Sequence, residues 1–164
     1  MNLKKAKTIR TLLLVIACIT LMVGFFQSAA ADKVRKHNPE KIDIEIAQIE
    51  SKYDSSKYYV VMDYEISNNT SVKLDYVKVI TYVYDIDDRR LGTITSEFGN
   101  SYSNSINVQS GGSVIQSTSL SANQNSSSFT DVFVELYNNG MTNARFEYEI
   151  VSAKWSDNYR YSGN

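Results

Sequence analysis

Apolar and polar residues alternate along most of the chain after residue 40. In residues 41–46 every second residue is isoleucine and the others are charged, and residues 60–66 repeat the alternation with valine, methionine, tyrosine and isoleucine. A period of two places the apolar side chains on one face of a β-strand, so the pattern predicts half-buried strands rather than amphipathic helices.

Seven segments carry a strand signal. Residues 74–84 are rich in Val, Ile and Tyr on both faces, which predicts a central strand. The other six are residues 41–46, 60–66, 91–98, 114–120, 132–137 and 145–155. Clusters of Asn, Asp, Gly and Ser separate them as turns. Short strands at this spacing predict an all-β fold, an immunoglobulin-like antiparallel β-sandwich of about seven strands.

The two ends of this region differ from its middle, and no stretch shows a comparable helical period. Residues 32–40 are charged and carry the only proline, Pro39, which predicts a flexible lead-in. Residues 158–164 form a polar tail that we expect to fray. The folded domain is therefore predicted to span residues 41–157.

Residues 1–31 have the pattern of an export signal, with four basic residues, a long apolar stretch and a small-residue end. We therefore expect a signal peptide and a secreted protein, or one on the extracellular face of a cell envelope. Two alternatives stay open. The uncharged residues 11–31 are long enough to span a bilayer if they are not cleaved, and Cys18, which follows a lipobox-like Val-Ile-Ala, would carry a lipid. Membrane contact is expected only through such an N-terminus.

Charge and cysteine content exclude several kinds of partner and chemistry. The signal segment takes four of the 17 basic residues and none of the 18 acidic ones, which leaves residues 32–164 with a net charge of −5. Nucleic acid and anionic lipid need clustered Lys and Arg, so we expect no nucleic-acid partner. Residues 32–164 also lack cysteine, and we expect neither disulfides nor thiolate chemistry there.

The segment that ends in Tyr84-Asp85 resembles the signature of the bacterial FxLYD domains, small immunoglobulin-like modules of Gram-positive surface proteins. The Tyr-Asp pair matches that signature, whereas Val83 stands for its Leu and Thr81 for its Phe. The similarity covers residues 58–120. It implies an immunoglobulin-like fold at a Gram-positive cell surface. It implies no activity, because the family is defined by its sandwich and not by a site.

Candidate catalytic groups are sparse. His37 is the only histidine and falls in the predicted lead-in, where we expect no partners to hold it for catalysis or zinc binding. No nucleophile-elbow or metalloprotease motif is present, so a hydrolase would need a carboxylate pair or a Ser-Lys arrangement, and the sequence pattern indicates neither. An example of a carboxylate pair would be Asp63 or Glu65 converging with Glu147 or Glu149. We therefore expect a protein without enzymatic activity.

The densest group of carboxylates is formed by Asp85, Asp87 and Asp88. Calcium takes six to eight oxygen ligands, and these side chains would supply part of such a set. The segment lacks the glycine and the distal glutamate of an EF-hand, and Asp88 stands where the FxLYD signature has a turn glycine. The favoured interpretation is a β-turn whose Asp side chains accept hydrogen bonds from local N–H groups. A Ca²⁺ site is the alternative, and no other cofactor is expected.

Tyrosine is abundant, with 12 in the chain against a single tryptophan. Two segments rich in Ser, Asn, Gln and Gly, residues 99–113 and 121–128, lie between predicted strands. Rigid aromatic rings beside adaptable amide and hydroxyl groups are typical of binding loops, and they also suit sugar rings. The residues predicted to contact a ligand are Tyr53, Tyr58, Tyr102, Asn104 and Trp155. Long solvated loops without a ligand are the alternative.

Together these patterns predict an exported, non-enzymatic binding module of a bacterial cell envelope, which contacts a glycan or a protein through its Tyr-, Ser- and Asn-rich loops. The first alternative is a structural domain that pairs with another envelope protein through an exposed strand edge. The second is an enzyme, secreted toxin or immunity factor built on a carboxylate pair.

Overall fold

The computed structural model describes residues 37–99, 105–123 and 130–163. The predicted signal segment with Cys18, and the predicted ligand contacts Tyr102 and Asn104, lie outside the described residues. No helix within the described ranges is long and apolar enough to cross a membrane.

Seven strands form two antiparallel sheets. The strands are β1 (Ile42–Asp54), β2 (Lys57–Asn68), β3 (Leu74–Tyr84), β4 (Arg90–Phe98), β5 (Gly112–Asn123), β6 (Arg145–Trp155) and β7 (Arg160–Ser162). One sheet has the order β1-β2-β5 and the other the order β4-β3-β6-β7. In immunoglobulin nomenclature, strands A-B-E pack on strands C′-C-F-G. The prediction of an all-β, immunoglobulin-like sandwich is confirmed.

The core lies between the sheets and is built from the alternating apolar residues. On β2, Val60, Met62 and Ile66 are fully buried, while Asp63 and Glu65 between them lie on the outer face. Each such apolar side chain contributes about 1.5–3 kcal/mol when it is removed from water. β3 pairs with both β4 and β6, so the prediction that it is a central strand is confirmed.

Residues 132–137 are helical, and the strand predicted there is wrong. Helix α1 spans Asp131–Asn139. Its N-cap is Thr130, whose hydroxyl accepts a hydrogen bond from the backbone N–H of Phe133, and it ends at Gly140, which has a φ of 57°. A Thr N-cap and a C-terminal glycine favour a helix between them, and here they prevail over a run of β-forming residues.

The buried face of α1 shows why this short pattern was ambiguous. Val132, Phe133 and Leu136 are buried, whereas Val134, which an alternating strand would bury with Val132 and Leu136, is 40% exposed. Leu136 follows Phe133 by three residues and Val132 by four, and residues three and four apart share a helical face. Over only six residues, periods of 2 and 3.6 select overlapping positions.

Both ends that were predicted to be flexible pack against the sandwich in their described parts. Arg160–Ser162 forms β7 and pairs with β6, so the seventh strand is β7 rather than residues 132–137. His37 is only 5% exposed, and its Nε2 lies 2.7 Å from Asp157 Oδ2. The expectation that His37 lacks partners is therefore wrong, because Asp157, between β6 and β7, supplies one.

Candidate functional site

The strand register places the predicted ligand contacts at two different ends of the sandwich. Tyr53 and Tyr58 face each other where β1 turns into β2. We call this turn, together with α1, the hairpin end. Trp155 pairs with Leu74 at the opposite end of the strands. We call the region around Asn68, Thr70 and Trp155 the tryptophan end. The predicted residues thus do not form one site.

Trp155 is fully buried and offers no surface to a ligand, contrary to the prediction. Its indole Nε1 donates a hydrogen bond to Thr70 Oγ1 at 3.0 Å. The ring of His37 meets it edge-on, with centroids 5.3 Å apart, and stacks on Tyr159 at 4.2 Å. The single tryptophan therefore reports on folding rather than on a bound ligand.

Asn68 is also fully buried, and its side chain forms hydrogen bonds with several backbone groups at the tryptophan end. Its Nδ2 donates to the carbonyl oxygens of Val72 and Val108 at 2.9 and 3.0 Å. Its Oδ1 accepts from the backbone N–H of Thr70 at 3.1 Å. A buried amide whose donors and acceptor all have partners stabilises the fold, and its removal greatly lowers the free energy of unfolding. We interpret this end as structural.

Tyr53 and Tyr58 do come together at the hairpin end, with ring centroids 4.8 Å apart. Tyr58 also meets Tyr137 of α1 edge-on at 5.3 Å, and Ser51 Oγ donates to the carbonyl oxygen of Tyr137 at 2.8 Å. The helix therefore holds the hairpin in place. Tyr53 is 58% exposed and is the ring that reaches solvent.

A shallow groove of about 300 Å³ lies beside this hairpin, on the outer face of the β1-β2-β5 sheet. It is lined by Lys52, Tyr59, Val61, Ser117, Thr118 and Ser119. In the strand register Tyr59 stands between Lys52 of β1 and Ser121 of β5, and Lys52 Nζ lies 5.6 Å from the centroid of its ring. The groove thus combines an aromatic ring, an ammonium group and several hydroxyls.

Sequence reasoning missed the groove because three strands build it, and only their register brings the residues together. A signal was nevertheless present. Serines at 113, 117, 119 and 121 alternate with half-buried residues along β5, which places their hydroxyls in a row on the outer face. Ser117 Oγ donates to Asp63 Oδ1 at 2.6 Å, so the row is linked to β2.

The Asp-rich segment forms a turn. Asp85 Oδ1 accepts hydrogen bonds from the backbone N–H groups of Arg89 and Asp87 at 2.9 and 3.0 Å, and the bond from Arg89 above all holds the pKa of the Asp85 carboxyl below its usual value. Asp88 instead accepts from Arg145 Nε at 2.8 Å. In the described part of the chain no three His, Cys, Asp or Glu side chains are grouped to hold a metal ion. We therefore propose no Ca²⁺ site at Asp85, Asp87 and Asp88.

The carboxylates that an enzyme would use lie on opposite outer faces. Asp63 and Glu65 belong to β2, while Glu147 and Glu149 belong to β6 in the other sheet. The core separates the two pairs. Glu147 accepts a hydrogen bond from the Tyr84 hydroxyl at 2.9 Å, so its oxygens serve a cross-strand contact. Neither Asp63 nor Glu65 therefore converges with Glu147 or Glu149.

Tyrosines, arginines and glutamates form a row of contacts across the outer face of the β4-β3-β6 sheet. Arg145 Cζ lies 4.2 Å from the ring centroid of Tyr84, and Arg145 Nη1 donates to Glu147 Oε1 at 2.6 Å. The hydrogen bonds from Arg145 and Tyr84 hold the pKa of Glu147 below its usual range. Because the contacts of Tyr84 with Arg145 and Glu147 join β3 to β6, we assign the row to sheet stability.

Comparison with known proteins assigns no family to the chain. No family model and no curated protein matches it. A Northeast Structural Genomics Consortium target, SoR45, has a TM-score of 0.36 and 11% identity over 74% of this chain and 80% of that one. A protein of Bordetella pertussis assigned as ApaA has a TM-score of 0.35 and 8% identity over 74% of this chain and 87% of that one. The resemblance to FxLYD domains stays a prediction from the sequence.

Proposed function

We propose that this protein is an exported, non-enzymatic binding module of a bacterial cell envelope, and that it binds a glycan in the groove around Tyr59. The observation that carries the proposal is the position of the Tyr59 ring. It lies in an open groove between the Lys52 ammonium group and the hydroxyls of β5.

A sugar ring has an apolar face of C–H groups and a rim of hydroxyls, and this groove complements both. The face of Tyr59 offers a rigid stacking surface at low cost in conformational entropy. Ser119 supplies a hydroxyl that can donate and accept, and Ser117, whose proton bonds to Asp63, supplies an acceptor. Lys52 supplies a charged donor. The groove is small for a ligand pocket, which suits a short stretch of an exposed polymer.

Export and the absence of catalysis belong to the same proposal. The N-terminal basic and apolar pattern supports export, and the net charge of −5 in residues 32–164 disfavours nucleic acid as a partner. The separation of Asp63 and Glu65 from Glu147 and Glu149 supports a binding function over a hydrolytic one.

The test compares two matched tyrosines on opposite outer faces. In the full chain, we expect Tyr59→Ala to weaken the binding of solubilised cell-wall glycan roughly tenfold or more in isothermal titration calorimetry, with the melting temperature little changed. Tyr84→Ala also removes a tyrosine that lies beside a cation, and it should leave the affinity unaltered. Equal affinities for wild type and Tyr59→Ala would reject the groove, and a wild type that binds no glycan would reject the ligand class.

A further inference from the structure

The sandwich has four edge strands, and β5 differs from the other three. β1 is interrupted by a register shift between Ile46 and Gln48, β4 carries Arg90 and Glu97, and β7 is only three residues long. Bulges, charges and shortness are the features that discourage edge-to-edge pairing. β5 runs for 12 residues without a charged residue or a proline, and its register with β2 is unbroken.

One side of β5 pairs with β2 along its whole length, and none of the described residues forms a strand on its other side. About half of the backbone N–H and C=O groups of an edge strand point away from its sheet. On the same side, a crevice of about 240 Å³ opens between β5, β4 and α1, with Leu120, Ile94 and Val132 in its walls. An added strand would pair these backbone groups and cover the crevice.

The sequence of β5 suits pairing with itself. When Ser117 stands opposite Ser117 of a second, antiparallel copy, the residues around it pair symmetrically. The pairs are Val114–Leu120, Gln116–Thr118, Ser113–Ser121 and Ile115–Ser119. Apolar Val114 meets apolar Leu120 on the core side, polar Gln116 meets polar Thr118, and no pair contains a charge. Such cross-strand pairs are the units that stabilise a sheet.

We propose that β5 pairs with β5 of a second copy of this chain, about a two-fold axis that passes through Ser117. The two three-stranded sheets then form one continuous sheet with an isologous interface. Ile115, which is 59% exposed in the single chain, becomes part of this interface. A single pair of strands is a small interface, so we expect a dimer that forms and dissociates readily.

The pairing requires no ligand, but it would affect how a ligand binds. A two-fold axis perpendicular to the sheet keeps the outer faces of both copies on the same side. The two grooves around Tyr59 would then face a glycan polymer together, and weak sites on one polymer reinforce each other.

Cysteine cross-linking tests the pairing and its register without any glycan. Residues opposite each other in antiparallel strands have Cα atoms about 4.5–5.5 Å apart, which a disulfide can bridge. In the full chain with Cys18→Ser, we expect Ser117→Cys to form a disulfide-linked dimer when diamide is added. Ser121→Cys, on the same exposed row, should stay monomeric alone and cross-link only when it is mixed with Ser113→Cys.

A charge at the axis gives a second test that does not depend on thiols. Ser117→Lys places two like charges opposite each other, and it should lower the dimer fraction several-fold in sedimentation velocity with little change in melting temperature. Mixing it with Ser117→Glu should restore the dimer. The proposal would be overturned if Ser117→Cys and Ser121→Cys cross-link with themselves equally, or if neither cross-links. It would also be overturned if Ser117→Lys leaves the dimer fraction unchanged. A monomer whose β5 edge is protected from amide exchange would assign that edge to another segment of the same chain, and would overturn it as well.

Discussion

The two ends of the sandwich differ in the contacts that hold them and in the aromatic surface that they expose. At the tryptophan end, Asn68, Thr70 and Trp155 are buried, and hydrogen bonds join them to one another and to the backbone. At the hairpin end, Tyr53 is mostly exposed and Ser56 of the turn has a positive φ. The central residues of one end are buried, whereas the other end keeps an aromatic ring in solvent.

A domain without disulfides in its described part can therefore place its buried hydrogen bonds at one end and its exposed aromatic surface at the other. Polar atoms with buried partners fix one end, because an unpaired buried donor or acceptor is costly. The hairpin end is held by α1, which packs on β4 where Gly92 leaves room for it and accepts a hydrogen bond from Ser51. Substitutions at the tryptophan end should therefore lower stability through lost hydrogen bonds, and those at the hairpin end through altered packing and backbone strain.

The largest expected effect is at Asn68. We expect Asn68→Ala to lower the free energy of unfolding by about 3 kcal/mol. The buried N–H of Thr70 loses its acceptor, and the carbonyl oxygens of Val72 and Val108 each lose one donor. Urea unfolding followed by Trp155 fluorescence measures the change in free energy.

The matched control is Asn69→Ala, since Asn69 is exposed and, among the described residues, its side chain bonds only to the Asp43 carboxylate. This substitution should cost no more than about 0.5 kcal/mol. Similar losses in both variants would show that the tryptophan end is not the more sensitive one.

The next effect is at the contact between β4 and α1. A Cβ on Gly92 would lie 2.7 Å from Val132 Cγ2, and a valine in a helix has little rotamer freedom to move away. We expect Gly92→Ala to cost about 1–3 kcal/mol as α1 is displaced. Val132→Ala should recover part of this loss in a double-mutant cycle, because it removes the colliding methyl group. Additive losses would place the strain elsewhere.

Most of the sandwich could be predicted from the sequence, because strand alternation is a local property. Ile42, Ile44 and Ile46 are buried just as their period of two requires. The helix could not be predicted, because Val132-Phe133-Val134 locally favours a strand. Only the caps at Thr130 and Gly140 favour a helix there.

The candidate site was predicted less well than the fold, and the reason is again physical. Whether an aromatic residue binds a ligand depends on which strand lies beside it, and register is not a local property. Trp155 looked accessible near the end of the chain, yet β7 and His37 fold around it. Tyr59 looked like one tyrosine among many, until the register set it between Lys52 and the serines of β5.

Between the two ends, Tyr148 links the sheets and makes stability depend on pH. Its hydroxyl oxygen accepts a hydrogen bond from the Ile46 N–H at 2.9 Å, and burial raises the pKa of Tyr148 to about 12. An unfolded tyrosine titrates near pH 10. Between about pH 10 and 12 the unfolded state therefore loses a proton that the folded state keeps, and the free energy of unfolding falls as the pH rises.

We expect this group to contribute about 1 kcal/mol of that fall, since the ring is only half-buried and solvent screens it. Urea midpoints of the wild type and Tyr148→Phe between pH 9 and 12 measure the difference. The variant should be less stable at pH 9, because the Ile46 N–H loses its acceptor, and its midpoint should fall less steeply with pH. Parallel curves would mean that other tyrosines cause the alkaline loss.

The smallest effect is a gain, and it lies at the hairpin end. Ser55 and Ser56 form the two-residue turn between Asp54 and Lys57, with φ values of 49° and 70°. Such turns favour glycine, because a side chain strains the left-handed conformation. We expect Ser56→Gly to raise the free energy of unfolding by about 0.5 kcal/mol. Thr95→Gly, at an exposed and extended position of β4, should instead lower it by about 1 kcal/mol. A loss in both variants would mean that the added freedom of the unfolded chain outweighs the strain in the turn, and that the hairpin end is already relaxed.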